Sequence, residues 1–378
     1  MYRFSACDPA FSPPRSATGD VLANNVTHVS GVTTNPEITN LGHMDPNASP
    51  AAPAEQASRI VILGTGGTIS CTTTADGSLH PTLSIAEIFA QAQIELPGNV
   101  EVTCQDVMTL DSSAIRLEDI DELIAHSHRH IRAAEADNVR LAGIVVVHGT
   151  DSMEETAMAF DQSLLGPTPI VFTGAQRPAD DQHPDGPDNL RCAIEFLLSA
   201  PTASRPHVVF GGQTLPAFGA TKVHTTADAG FASTVDDAAE AESEIRFLLP
   251  ASQRHESRDT PPLAGLFVPI FDAHIAANPV LIEMLLDPHS AAPTPDGLVI
   301  AAMGSGNVPP PMVNAMREAT NPIVICSRVP FGGVHFVYGG SGGGASLAQL
   351  GMLSGGALRP AQARMALLAH LARGRQDN

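Results

Sequence analysis

The chain is 378 residues long, with a formal net charge of -20, one lysine, no tryptophan and 4% aromatic residues. This length predicts two domains, because one hydrophobic core rarely grows beyond about 250 to 300 residues, and with so few aromatics Ala, Val, Leu and Ile must pack them. The acidity excludes a nucleic-acid groove, which needs clustered Lys and Arg against phosphate, and no stretch reaches the roughly 18 apolar residues of a membrane span.

Residues 1–58 are rich in Ala, Pro, Asn, Ser and Thr and end in the linker-like NASPAAPAEQAS, which predicts a poorly ordered extension. They hold no continuous apolar run behind a basic start, so a cytoplasmic location is expected, with other export routes left open. Arg59–Leu63 (RIVIL) predicts a buried strand that runs straight into GTGGTIS, Gly64–Ser70. Helical periodicity follows at Ser84–Gln93 and Arg116–Ala136. Apolar strands at Leu141–Val147 and Pro169–Phe172 end in HGTDSMEETA and TGAQRP, and a strand at His207–Phe210 leads on to Lys222. This alternation of strand, polar turn and helix predicts an α/β fold with a mostly parallel sheet flanked by helices, whose ligands sit outside the carboxyl ends of the strands. A Pro- and charge-rich linker at 251–262 separates a larger N-terminal domain, 59–250, from a smaller α/β domain, 263–378. The latter has strands near Leu298–Ala302 and Pro322–Ser327 and a closing helix at Pro360–Arg373.

Three polar segments at strand ends carry candidate chemistry. GTGGTIS presents Thr65 on a glycine turn; it lacks the third glycine of a dinucleotide fingerprint and the GK[ST] of a P-loop, and a plain tight turn explains it equally well. In HGTDSMEETA, Asp151 and Glu154 have the spacing of a helix N-cap and its N3 partner, with a helix beginning at Ser152, but capping does not require the adjacent Thr150. Lys222 stands in GATKVHTTAD. An ammonium can surrender its proton where a guanidinium cannot, burial favouring the amine and a nearby carboxylate the ammonium, although an ordinary surface lysine is the competing reading. Threonine nucleophile with lysine base is the first chemical hypothesis.

Other candidates are weaker. His126, His128 and His130 are spaced too tightly for a zinc site and predict a solvent-facing helix. Ser341 sits in a GxSxG match within GGSGGGAS, which predicts a mobile glycine loop rather than a nucleophile elbow. The five cysteines, Cys7, Cys71, Cys104, Cys192 and Cys326, form no CxxC or zinc-like pattern and are expected to be reduced.

Taken in order, TGGTI (Thr65–Ile69), DSS (Asp111–Ser113), HGTDSMEET (His148–Thr156), GAQRP (Gly174–Pro178), DGPDNL (Asp185–Leu190), TKVHTTAD (Thr221–Asp228), GSGNVP (Gly304–Pro309) and SRVPFGG (Ser327–Gly333) resemble the bacterial-type L-asparaginase family from Arg59 onward. The resemblance implies that Thr65 is the nucleophile and that Thr150, Asp151 and Lys222 form a second catalytic cluster. It implies further that Ser112, aided by backbone at Ser113, binds the substrate α-carboxylate, that Asp151 holds the α-ammonium, and that Ala175 and Gln176 border the side-chain amide. Gly67 is expected to act through its backbone and Thr68 through local hydrogen bonding. The implied reaction is hydrolysis of the side-chain amide of L-asparagine through an acyl-threonine ester, without metal or organic cofactor, in a homodimer or homotetramer whose sites lie near subunit interfaces, with GSGN and SRVPFGG contributing across them.

The chain departs from the family in two places. The loop Cys71–Ser84 has no tyrosine, the only tyrosines being Tyr2 and Tyr338, so His80, a loop threonine, a group from another subunit or heavier reliance on Lys222 must replace it. DSS continues with Ala114 where some relatives have a glutamine-containing version, which leaves asparagine-versus-glutamine choice open. A dual glutaminase-asparaginase or an amidase for a larger amide is the alternative within the class, and an amino-acid binding or sensing protein is the alternative outside it. Ammonia release for transfer to charged tRNA is disfavoured by the acidic balance.

Overall fold

The computed structural model describes residues 57–199, 205–236, 238–249, 253, 256 and 258–376. The expected extension lies almost wholly outside the described residues, as do 251, 252, 254, 255 and 257 of the linker expected at 251–262. The described chain forms two α/β domains.

The N-terminal domain is built on a sheet in which β4 (Val100–Leu110), β1 (Ser58–Gly66), β5 (Arg140–Val147), β6 (Ile170–Thr173), β7 (His207–Phe210) and β8 (Gln213–Pro216) lie side by side in that order. Every pairing is parallel except the last, the β7–β8 hairpin. The central strands β1, β5 and β6 are buried on both faces, and their successive side chains divide between two cores as a two-residue period demands. Val61, Leu63, Ile144 and Val146 face a core shared with α2 (Leu117–Asp137) and α3 (Met153–Asp161). Ile60, Ile62, Val145 and Val147 face one shared with α1 (Ile85–Gln91) and α4 (Gly186–Ser199). Two small antiparallel pairs decorate the domain: β2 (Cys71–Thr73) with β3 (Leu79–Pro81), and β9 (Ala220–Lys222) with β10 (Phe231–Ser233). α5 (Ala238–Ser243) closes it.

In the C-terminal domain β11 (Ile270–Asp272), β12 (Leu298–Ala302), β13 (Ile323–Ser327) and β14 (Leu353–Ser354) form a parallel sheet. One face packs on α6 (Val280–Leu286), α7 (Pro310–Met316) and α8 (Gly344–Gln349), through Ile282, Met312 and Leu347. The other face, through Val299, Val324 and Cys326, meets α9 (Pro360–Gln376), whose opposite side packs on α3. That one helix therefore walls both domains.

The strand order fixes where a ligand site belongs. From β1 the chain passes to β4 on one side, and from β5 it moves to β6 on the other, so the loops leaving β1 and β5 diverge. This is a topological switch point, and the crevice opens at the carboxyl ends of these two strands. Thr65 ends one and Thr150–Asp151 follow the other.

One expectation needs correction here. α2 carries the three histidines, but it does not turn them to solvent: His128 is 5% exposed and meets Thr260 Oγ1 at 3.1 Å, while His126 and His130 both bond the Gln105 side chain. Burial lowers the pKa of all three. The GxSxG match around Ser341 lies in turns before the six-residue α8, with Ser341 itself exposed. Among the described residues, no helix is long and apolar enough to cross a membrane.

Candidate active site

Thr65 is buried at the end of β1, and its hydroxyl donates to the Val147 carbonyl, 3.0 Å away at the end of β5. The turn that follows depends on glycine. Gly67 has φ +78°, and a Cβ there would lie 2.5 Å from Gly149 Cα, so the turns leaving the two strands touch backbone to backbone. From its far side Gly149 is pressed by Ser112, whose Oγ lies 2.6 Å from where a Cβ on Gly149 would stand. The segments of Thr65, Ser112 and Thr150 therefore converge on one glycine.

Ser112 opens a short 3-10 turn after β4. Its Oγ accepts the Asp151 N–H at 3.2 Å and its carbonyl accepts the Ser152 hydroxyl at 2.6 Å, which fastens this turn to the start of α3. Ser113, next in sequence, points into solvent.

Lys222, at the end of β9, reaches across to the same place. Its Nζ donates to Thr150 Oγ1 at 2.8 Å and to Asp151 Oδ1 at 2.7 Å. The lysine side chain is 18% exposed against 68% for Asp151, so the ammonium is sheltered while the carboxylate stays open. The surface-lysine reading is thereby excluded. The capping reading of Asp151 and Glu154 is overturned as well. The N-cap of α3 is Ser152, no side chain caps it, Asp151 is turned to Lys222, and Glu154 Oε2 accepts the backbone N–H of Lys222 at 2.7 Å. Burial pushes the Glu154 carboxyl up to about 7, opposed by that N–H bond.

The GAQRP turn after β6 is held by Asp185. Its carboxylate accepts the Gln176 N–H at 2.9 Å, the Arg177 N–H at 2.8 Å and Asn189 Nδ2 at 3.1 Å. Asn189 in turn bonds the Gly174 carbonyl and the Gly211 N–H. The Gln176 backbone N–H is thus engaged by Asp185, and its Nε2 by the Ala227 carbonyl at 3.0 Å. Ala175 is buried beside them. His148 stands under the turn after β5 with Nδ1 2.7 Å from the Gly149 carbonyl, so that nitrogen carries the proton; Nε2 is buried without a partner, and burial drives the ring down to about 4.

His80 lies in the β2–β3 hairpin, exposed and bonded to Ser78 Oγ at 3.0 Å. Asp180 and Ala179 tie that hairpin back to the segment after GAQRP. Tyr338 is exposed in the C-terminal domain, and Tyr2 is outside the described residues. Among the described residues no group of three or more His, Cys, Asp or Glu is placed to hold a metal ion.

Sequence reasoning missed Glu154, Asp185, Asn189, His148 and Gln362 as parts of this site. The first four lie inside the motifs already singled out. Gln362, on α9, had no local signal.

The chain is similar to known proteins in both sequence and fold. The family model described as "Asparaginase, N-terminal" matches residues 59–251, and "Glutaminase/Asparaginase C-terminal domain" matches residues 268–378. A protein named probable L-asparaginase, from Deinococcus radiodurans, is 32% identical over 322 residues, covering 83% of this chain and 92% of its own. An L-asparaginase from Bacillus licheniformis is 27% identical over 325 residues, 83% of this chain and 95% of that protein. The solved thermostable L-asparaginase of Thermococcus kodakarensis shares the fold with a TM-score of 0.63 at 23% identity, over 82% of this chain and 90% of that one.

Proposed function

The chain belongs to the asparaginase/glutaminase family, and within that family of amidohydrolases we propose that it hydrolyses the side-chain amide of L-asparagine to L-aspartate and ammonia, with Thr65 as nucleophile. The observation that carries this reading is the chain's single lysine, Lys222, bonded to Thr150 and Asp151 on the turn that touches the Thr65 turn.

Substrate binding follows from what the neighbours leave open. Ser112 Oγ accepts from Asp151, so its own proton is available to a substrate α-carboxylate. The exposed Asp151 carboxylate offers a counter-charge to an α-ammonium. Ala175 and Gln176 wall the side-chain amide, with the backbone of Gln176 fixed by Asp185.

In the first step Thr65 Oγ1 bonds to the amide carbon, its proton passes through Thr150 to Lys222 in its free-amine form, and the carbonyl electrons move onto the oxyanion. The C–N bond then breaks as the departing nitrogen takes that proton back from the Thr150–Lys222 pair, leaving as ammonia and restoring the free amine. Water, deprotonated by the same pair, attacks the aspartyl ester, releases aspartate and returns the proton to Thr65. Thr150 and Lys222 thus serve both halves of the reaction, while Asp151 orients the lysine. No step calls for a metal or an organic cofactor.

We read the assembly as a homodimer or homotetramer. Ile275, Leu281, Met284, Phe331, Val337 and Tyr338 leave apolar surface on the C-terminal domain, which supports an association through that domain.

The test is ammonia release from purified protein given L-asparagine or L-glutamine separately, with Thr65→Ala as control. Thr65-dependent release from asparagine, at least about tenfold faster than from glutamine, is the expected result. Equal rates would make the protein a dual glutaminase-asparaginase. No release from either amide would move the reading to a larger amide substrate or to a binding protein.

A further inference from the structure

Lys222 is gripped at two points, and only one of them belongs to the chemistry already described. Thr150 and Asp151 hold its ammonium. Its backbone N–H is held separately, by the Glu154 carboxylate one helical turn further along the same segment. β9, which carries the lysine, is just Ala220–Lys222, among the described residues paired only with the equally short β10, so its own ladder fixes it weakly.

We propose that Glu154 is a positioning residue for Lys222, holding the lysine's backbone to α3 so that its side chain spans to Thr150 in one conformation. This rests on the reading of Lys222 as the proton-transfer group. It goes further in assigning the placement of that group to a second acid that does not touch the substrate.

The surroundings suit such a role. Gln362, fully buried on α9, supports the same short strand: its Oε1 accepts the Gly219 N–H at 3.0 Å, and its Nε2 donates to the Ala217 and Ala220 carbonyls at 2.8 Å. The same Nε2 stands 3.5 Å from the Glu154 carbonyl. The charged groups acting on Glu154 are Lys222 from β9 and Glu155 from its own helix, while Arg364 from α9 is committed to Glu155 at 3.4 Å. Among the described residues no arginine pairs with Glu154 directly. Its ionisation, with a midpoint at about 7, therefore decides whether the Lys222 amide meets a carboxylate or a neutral acid, and a charge-assisted bond is the stronger of the two.

The single lysine makes this directly observable. Protein labelled with 15N-lysine gives one backbone amide resonance, that of Lys222. In the wild type this resonance should move with a midpoint near the Glu154 value of about 7, and kcat for ammonia release should fall as pH drops through the same range. In Glu154→Gln, which keeps the shape and an acceptor but no charge, the resonance should stop titrating. Its kcat should be lower by about tenfold above neutrality with KM changed less than about twofold, and the acid limb should be lost.

A Glu154→Gln protein whose Lys222 resonance titrates as before, or whose kcat and pH profile match the wild type, overturns the proposal. If that variant does not fold, Glu154→Asp carries the test: a displaced midpoint supports the proposal and an unchanged one overturns it. Lys222→Met separates the two levels. Activity surviving in Lys222→Met would defeat the proton-transfer reading, and the proposal with it, whereas an inactive Lys222→Met beside an unaffected Glu154→Gln would defeat the proposal alone.

Discussion

His148 is buried and Glu154 partly so, both on the segment that leaves β5, and each is displaced toward its neutral form, so they tilt the pH dependence of folding in opposite directions. The His148 ring, driven down to about 4 by burial, contributes stability that is present above the ordinary imidazole range and is lost as pH falls toward that value. The Glu154 carboxyl, pushed up to about 7, contributes stability that is present below the ordinary carboxylate range and is lost as pH rises through its raised value. Thermal melts should separate them. Glu154→Gln is expected to gain melting temperature over the wild type at about pH 8 and to show no gain at about pH 4.5. His148→Gln, whatever its absolute stability, is expected to lose less melting temperature than the wild type between about pH 7 and pH 5. Parallel melting curves for variant and wild type across these windows would contradict the burial argument. Residue types in order made the candidate list legible, since Thr65, Thr150, Asp151 and Lys222 stand in motifs at strand ends. Their partners were not, because the Asp151–Glu154 spacing fits a cap as well as it fits two grips on one lysine 68 or more residues away.

At the scale of elements, strand positions followed from apolar runs closed by polar turns: His207–Phe210 and Leu298–Ala302 are strands with the bounds expected, β5 begins one residue early, and β1 runs on through Gly64–Gly66, which were expected in the turn. What the runs concealed was β4, an eleven-residue edge strand in which polar residues such as Glu101, Gln105 and Asp106 interrupt the apolar ones. Yet β4 delivers Ser112 and creates the switch point. Gln362 was equally hidden, because its role depends on α9 folding back over a strand more than 140 residues earlier in the chain. Replacing it by leucine would take the buried Gly219 N–H and the Ala220 carbonyl from their Gln362 partner, while the Ala217 carbonyl keeps the Ala220 N–H. A loss of about 2–4 kcal/mol of stability is expected, readable in a denaturant titration, together with a lower kcat from a loosened Lys222 strand. A stable and fully active Gln362→Leu would show that β9 is held by other means.

Across the whole molecule, the two-domain layout was visible in the repeated βα rhythm, but the closeness of the domains was not. One apolar core runs from Val61 and Ile144 of the larger sheet through α3 and α9 to Val299 and Val324 of the smaller one. The C-terminal domain therefore belongs to the machinery that presents Lys222. Separating the domains is expected to abolish activity even with Thr65, Thr150, Asp151 and Lys222 all on the larger piece. At the other end, the first described strand begins at Ser58 and the family match at residue 59. A chain lacking residues 1–57 is expected to keep its melting temperature and ammonia release, and a collapse of either would make that segment part of the functional fold.

The proposed mechanism puts the acyl group on Thr65, where acid-quenched mass spectrometry can detect it. Wild type mixed with excess L-asparagine, quenched within a turnover and digested, should show an aspartyl adduct on the peptide containing Thr65, while Thr65→Ala, folded and assembled as the wild type, shows neither adduct nor ammonia. An adduct on another residue, or near-normal ammonia release by Thr65→Ala, would contradict the account.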